Sequence, residues 1–282
     1  MKINYDLYDS NEVLEAKLMS GITGCDVVVP SGSYLERQAK AGIYTILDKG
    51  MLMNNANLDP AMMHRLATHA PDNSRSVPYA WGTVGLGYNV DKVKARLGDV
   101  LIDRLNIIFD PKYAAKLAGC GIAMLDSPSE VMAIALNYSG LDPSSEDKTD
   151  LRKASDLVAK VKPHIRYFHS SKYLGDLANG DICMALGYGS DVLMAKNRAS
   201  EAGNNVNVHY AVPKEGTLVW CDLMAIPADA PHPKEAYQFI DFLLRSQSAA
   251  SISNHAYAAV AYLAALPFLK KEVAGDPGVS IR

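Results

Sequence analysis

The sequence predicts an α/β protein of two lobes, and three observations carry that reading. Short β-rich runs alternate with helical patterns along most of the chain. One run, CDVVVP, is continuously apolar, as a strand buried on both faces of a parallel sheet would be. A glycine-punctuated extended segment, residues 77–89 (VPYAWGTVGLGYN), is long enough to cross between lobes. At 282 residues the chain has room for two domains, or one large one, with a substantial core. We place lobe I at residues 1–83 plus 224–282 and lobe II at 84–223, with each lobe a mostly parallel sheet flanked by helices.

The elements follow in order. KINYDLYD alternates apolar and polar residues, as a strand does, and SNEVLEAKLMSG reads as a helix capped by Ser10 and stopped by Gly21. CDVVVP and the helix SYLERQAKAG complete a strand, helix, strand, helix order, which calls for a right-handed βαβ arrangement. Beyond the crossover, helical patterns occupy 110–118, 128–138, 148–160, 172–178 and 190–202, with short strands near 123–125, 182–187 and 206–212. LDPSSEDKTD is a polar loop, and KEAYQFIDFLLRSQSAASISNHA is a late helical pair, amphipathic through Ala236, Phe239, Ile240, Leu243 and Leu244.

Composition narrows function. A net charge of −3 without a Lys/Arg cluster in the sequence argues against a nucleic-acid partner. No run approaches the roughly 18 apolar residues of a membrane span. The opening MKINYDLYDSNEV lacks the apolar core of a signal peptide. The cysteines, 25, 120, 183 and 221, form no C-x-x-C, which leaves open one disulfide with two thiols, or four buried thiols. No nucleophile elbow, dinucleotide fingerprint, P-loop or H-E-x-x-H occurs, so neither an enzyme nor a cofactor or metal is indicated. His164 and His169 are spaced for surface or packing roles.

The informative stretch is TLVWCDLMAIP, residues 217–227, a strand-like apolar run with Asp222 in its middle. An ionised carboxylate in such a setting is costly without a positive partner, and the nearest Lys or Arg in sequence, Lys214, lies outside the run. Trp220, two residues away, shares its side of a strand. Other strand ends carry Ser31, Glu130, Tyr188 and Asp191. Acids, aromatics and hydroxyls without a base suit a cation. Each also has a plainer reading: Ser31 and Asp191 suit helix starts, and Ser127 with Glu130 spells a capping box.

The segments YDSNEVLEAKL, DVVVPSGSYLERQ, VPYAWGTVGLGYNVDKV, LDSPSEV, IRYFHSSKYLGDLANGDICMALGYGSD and VWCDLMAIPADA resemble the putrescine- and spermidine-binding periplasmic receptors of bacterial ABC importers. The resemblance covers nearly the whole chain in consistent order. It implies the two-lobe type II periplasmic binding protein fold, a polyamine ligand, importer permease subunits as partners and a periplasmic location. It assigns ligand contacts to Ser31, Glu130, Tyr188, Asp191, Trp220 and Asp222, and a disulfide to Cys120 and Cys183. Asp222 would hold an ammonium group while Trp220 covers the methylene stem.

Three departures stand beside it. The family's first strand, with its Tyr-Asn-Trp-x-Asp-Tyr-like motif, and its C-terminal helices have no counterpart here. AAVAY, residues 258–262, replaces a polar segment. An incomplete lobe I exposes edges and apolar faces, so self-association through it is expected. The alternative is a relative without a transport role, acting as a structural or interaction protein.

Overall fold

A computed structural model describes residues 2–275 apart from 9, 22 and 68–72. The chain divides into two compact units, Met1–Trp81 with Trp220–Ala274, and Gly82–Val219. The division falls a few residues from the boundaries read in the sequence, and it moves Trp220 and Asp222 into the first unit. The reason is hydrogen bonding: Asp222 bridges Ser31, Leu223 N–H donates to Pro30 O, and Val28 and Ala225 exchange backbone bonds.

The first unit opens with residues 2–8 in no regular structure, contrary to the strand that KINYDLYD suggests. Alternation marks a segment suited to a sheet. It does not supply a partner, and no ladder involving this segment occurs among the described residues, where Tyr5 and Leu7 are 84% and 78% exposed. Helix α1 (Asn11–Met19) follows, its Ser10 Oγ accepting from Val13 N–H at 3.3 Å and its Leu14 and Leu18 buried. CDVVVP is extended, but its ladder pairing is a single antiparallel bridge, Val28–Ala225, with Val27 and Val29 half-buried. The doubly buried parallel strand expected there is therefore not formed. Helices α2 (Gly32–Lys40) and α3 (Pro60–Leu66) lead to the long strand β1 (Ser76–Asn89), which carries the chain across at Trp81–Gly82.

The second unit is built on a sheet. In chain order come α4 (Val90–Leu97), α5 (Asn106–Phe109), α6 (Pro111–Ala118), β2 (Ile122–Met124), α7 (Pro128–Tyr138), α8 (Lys148–Val161), β3 (Tyr167–Phe168), α9 (Lys172–Asn179), β4 (Met184–Tyr188), α10 (Gly189–Ala202) and β5 (Val208–Ala211). Strand order is β3-β2-β4-β1-β5. β2 is parallel to β3 and β4, whereas β1 is antiparallel to both β4 and β5, so four of the five strands on this path run one way; a sixth strand, Val219–Ala225, also pairs with β1. Leu86, Ile122, Met124, Ala185 and Leu186 are fully buried. Asn89, Asp110 and Asp147 cap α4, α6 and α8 through side-chain oxygens, satisfying amides the helices leave open. Cys120, ahead of β2, is disulfide-bonded to Cys183, ahead of β4.

The return strand β6 (Val219–Ala225) re-enters the first unit, followed by α11 (Pro233–Leu243), α12 (Ser246–Ala256) and the short α13 (Lys271–Ala274). Met224 and Ile226 pack with Leu47, Leu58, Val77, Tyr237, Ile240 and Leu244 in a common apolar core. The amphipathic helices α11 and α12 thus sit where their spacing predicts.

Candidate functional site

The six residues singled out in the sequence fall into two clusters, one in each unit. In the first unit, β6 alternates: Cys221 and Leu223 are buried, while Trp220 and Asp222 are half-buried on the other side. Asp222 is therefore not sealed in the core as the apolar run suggested. Its Oδ1 accepts a hydrogen bond from Ser31 Oγ at 2.6 Å. Ser31 occupies the N-cap position of α2 yet makes no side-chain capping bond, so its hydroxyl serves the carboxylate and not the helix. Asn11 fixes Ser31 at two points: its Nδ2 donates to Ser31 Oγ and its Oδ1 accepts from the Ser31 backbone N–H, both at 3.0 Å.

The negative charge of Asp222 is felt around it. Burial, then Asp222, raise the Tyr8 hydroxyl well above the usual phenol range. Burial, then Asp222, push the Cys221 thiol up to about 12, so it is a neutral thiol at physiological pH. Tyr79 is also raised, first by burial and then by Tyr5 and Asp222. Sequence reasoning missed Tyr8, Asn11 and Tyr79. The only available signal was the aromatic content of the opening segment, whose Tyr8 hydroxyl donates to Val29 O at 2.5 Å.

In the second unit, the ends of β4 and the starts of α7 and α10 meet. Glu130, in the first turn of α7, accepts a hydrogen bond from the Tyr188 hydroxyl at 2.7 Å. The capping box does not engage through its serine: Ser127 makes no side-chain cap bond, and its Oγ lies 3.4 Å from Ser129 Oγ. Asp191, in the first turn of α10, accepts from the Tyr173 hydroxyl at 2.7 Å, and the Tyr173 hydroxyl oxygen in turn accepts from Tyr188 N–H at 2.9 Å. Tyr173 is fully buried on α9, and its ring fits because Gly187 has no side chain; a Cβ there would come within 2.5 Å of the ring. One phenol thereby ties Asp191 to the end of β4. Tyr173 is the residue sequence reasoning missed here, since nothing in its own segment marks it.

Burial pushes the Asp191 carboxyl up to about 6, against the opposing effects of the Tyr173 hydrogen bond and of Arg198. Asp191 forms no ion pair within 4 Å among the described residues, so Arg198 acts on it from further away. A hydrogen bond from a neutral hydroxyl aligns a carboxylate and favours its ionised form. Among the described residues no group of three or more His, Cys, Asp or Glu side chains is arranged to hold a metal ion, and no helix is long and apolar enough to cross a membrane. His169 has a structural task, its Nδ1 accepting from the backbone N–H groups of Ser171 and Lys172 at the start of α9.

Residues 25–276 match the family described as bacterial extracellular solute-binding protein. The chain belongs to that family. Within this solute-binding family it is 51% identical over 281 residues to the putrescine-binding periplasmic protein PotF of Escherichia coli (strain K12), covering 99% of this chain and 76% of that protein. It is 46% identical over 280 residues to the putrescine-binding periplasmic protein SpuD of Pseudomonas aeruginosa (strain UCBPP-PA14), with the same coverage. Among solved structures, the Tp0655 (TpPotD) lipoprotein of Treponema pallidum matches with a TM-score of 0.80 at 26% identity, over 94% of this chain and 79% of that one. The fold is that of the type II periplasmic binding proteins, and PotF and SpuD are named as putrescine-binding periplasmic proteins.

Proposed function

We propose that this chain is a receptor for a linear polyamine, putrescine foremost, which it delivers in the periplasm to the permease subunits of an ABC importer. The observation that carries this reading is the way its acids are held. Asp222, Glu130 and Asp191 each accept from a neutral hydroxyl, of Ser31, Tyr188 and Tyr173 respectively. Carboxylates oriented in this way suit an ammonium group of the ligand. The relatives named for putrescine supply the ligand class, and their names as putrescine-binding periplasmic proteins disfavour a purely structural role. Trp220, beside Asp222 on β6, offers an aromatic face to an ammonium or to its methylene stem, worth about 0.5–2 kcal/mol. No bond is made or broken; ligand contacts shift a conformational equilibrium toward a bound state.

The test is a calorimetric titration of putrescine into the wild-type chain and into Asp222→Asn. Loss of the charge is expected to weaken binding at least tenfold, about 1.4 kcal/mol. Unchanged affinity in a variant with a native circular dichroism spectrum would remove Asp222 from the site. A change in Trp220 fluorescence on adding the diamine should accompany binding.

A further inference from the structure

The sequence holds no basic cluster, but the fold of the second unit makes one. Lys92 on α4, Arg96 one turn later and Arg166 just ahead of β3 line a cavity of about 280 Å³ together with Ala95, Gly119, Cys120 and Asp181. It lies at the Cys183 end of β4, whereas Tyr188 and Asp191 lie at and beyond the other end, so it is separate from the acidic cluster. Two cations are fixed by the turn after α9: Lys92 Nζ donates to Gly180 O, and Arg166 Nη1 to Asp181 O at 2.8 Å. The loop around the disulfide is cut away for the guanidinium groups. A Cβ at Gly119 would come within 3.0 Å of Arg96 Nη1, and one at Gly121 within 2.5 Å of Arg166 Cζ.

Several cations of this unit have carboxylate partners, as in Lys94–Asp99, Arg104–Glu215, Lys172–Asp176 and Lys214–Asp103. Among the described residues none of Lys92, Arg96 and Arg166 has one within 4 Å, although Asp181 shares the cavity wall. Three like charges held around one concavity repel unless an anion joins them, and two guanidinium forks suit a tetrahedral oxyanion.

We propose that this cradle is a binding site for a phosphate-class dianion, distinct from the polyamine cluster. The chemistry fits inorganic phosphate or the phosphate of a lipid headgroup equally. The experiment is a calorimetric titration of inorganic phosphate into the wild-type chain, the Arg96→Ala/Arg166→Ala double variant and the Arg96→Lys/Arg166→Lys double variant, at constant ionic strength set with chloride. A parallel arm measures sedimentation with vesicles of neutral phosphatidylcholine with and without phosphatidic acid. Thermal melts verify that each variant is folded.

Saturable phosphate binding by the wild type, weakened at least tenfold in the alanine variant and partly restored in the lysine variant, is the expected result. Binding to the phosphatidic acid vesicles alone, lost in the same alanine variant, supports the site with the headgroup as its source. No binding in either arm, or equal binding by wild type and a folded alanine variant, overturns the proposal.

Discussion

Asp222 in the first unit and Asp191 in the second each accept a hydrogen bond from a neutral hydroxyl, Ser31 Oγ at 2.6 Å and Tyr173 Oη at 2.7 Å. The scaffolds delivering those hydroxyls differ. Ser31 sits at a loop–helix junction joined to β6 by isolated antiparallel bridges. Tyr173 is fully buried beside a continuous ladder, with a disulfide tying the far ends of two of its strands. The same chemistry therefore rests on a sparse frame in one unit and a dense one in the other. A hydroxyl donor needs only a rigid origin, and Asn11 supplies for Ser31 what core packing supplies for Tyr173.

The largest expected effect breaks the dense frame. The disulfide spans 63 residues, and closing a loop of that length removes unfolded-state entropy worth about 4 kcal/mol at 25 °C. Reduction, or Cys120→Ser/Cys183→Ser, should lower the unfolding free energy of the second unit by up to that amount in urea melts. The hydrogen-exchange protection of Val28 and Leu223 in the first unit should change little.

A smaller effect concerns charge. The folded state holds the Asp191 carboxyl near 6, above its ordinary value, so ionisation is disfavoured by folding. The resulting penalty is absent below about pH 4, develops as pH rises through about 6 and is full above that. Asp191→Asn should therefore stabilise the ligand-free chain at pH 8 by about 1–2 kcal/mol after allowance for solvent screening. At pH 4 the gain should vanish. Thermal melts at the two pH values measure the difference.

How much of this was legible beforehand differs between the units. Strand period alone put Trp220 and Asp222 on one side of β6, and the helical patterns read at 128–138 and 190–202 match α7 and α10 to within a residue. Periodicity and caps are local, so sequence displays them. Partner choice is not local. Ser31 and Asp222 are 191 residues apart, and Tyr173 reaches Asp191 from another helix, so neither hydroxyl announces its acceptor. KINYDLYD fails as a strand for the same reason, since alternation states a capacity for pairing and not a pairing. Ser31 and Ser127 looked like caps because a capping and a non-capping serine read alike until the hydroxyl is seen.

The smallest effect sharpens the role of the buried phenol. Tyr173→Phe removes a bond that favours the ionised form of Asp191, so its pKa should rise further above about 6. Putrescine affinity at pH 7 should fall a few-fold, and the pH midpoint of binding should move upward. Calorimetry between pH 5 and 8 reads both, and an unmoved midpoint would leave Tyr173 a packing residue only.

The central claim is that acids aligned by hydroxyls take up an ammonium group of the ligand. Putrescine titrated at pH 6 into the wild-type chain, in two buffers of different ionisation enthalpy, tests it most directly. Asp191 is then about half protonated, and a bound cation should expel roughly half a proton per ligand. The account predicts saturable binding with that release, diminished in Asp191→Asn. Absence of binding, or binding with no proton exchanged, would contradict it.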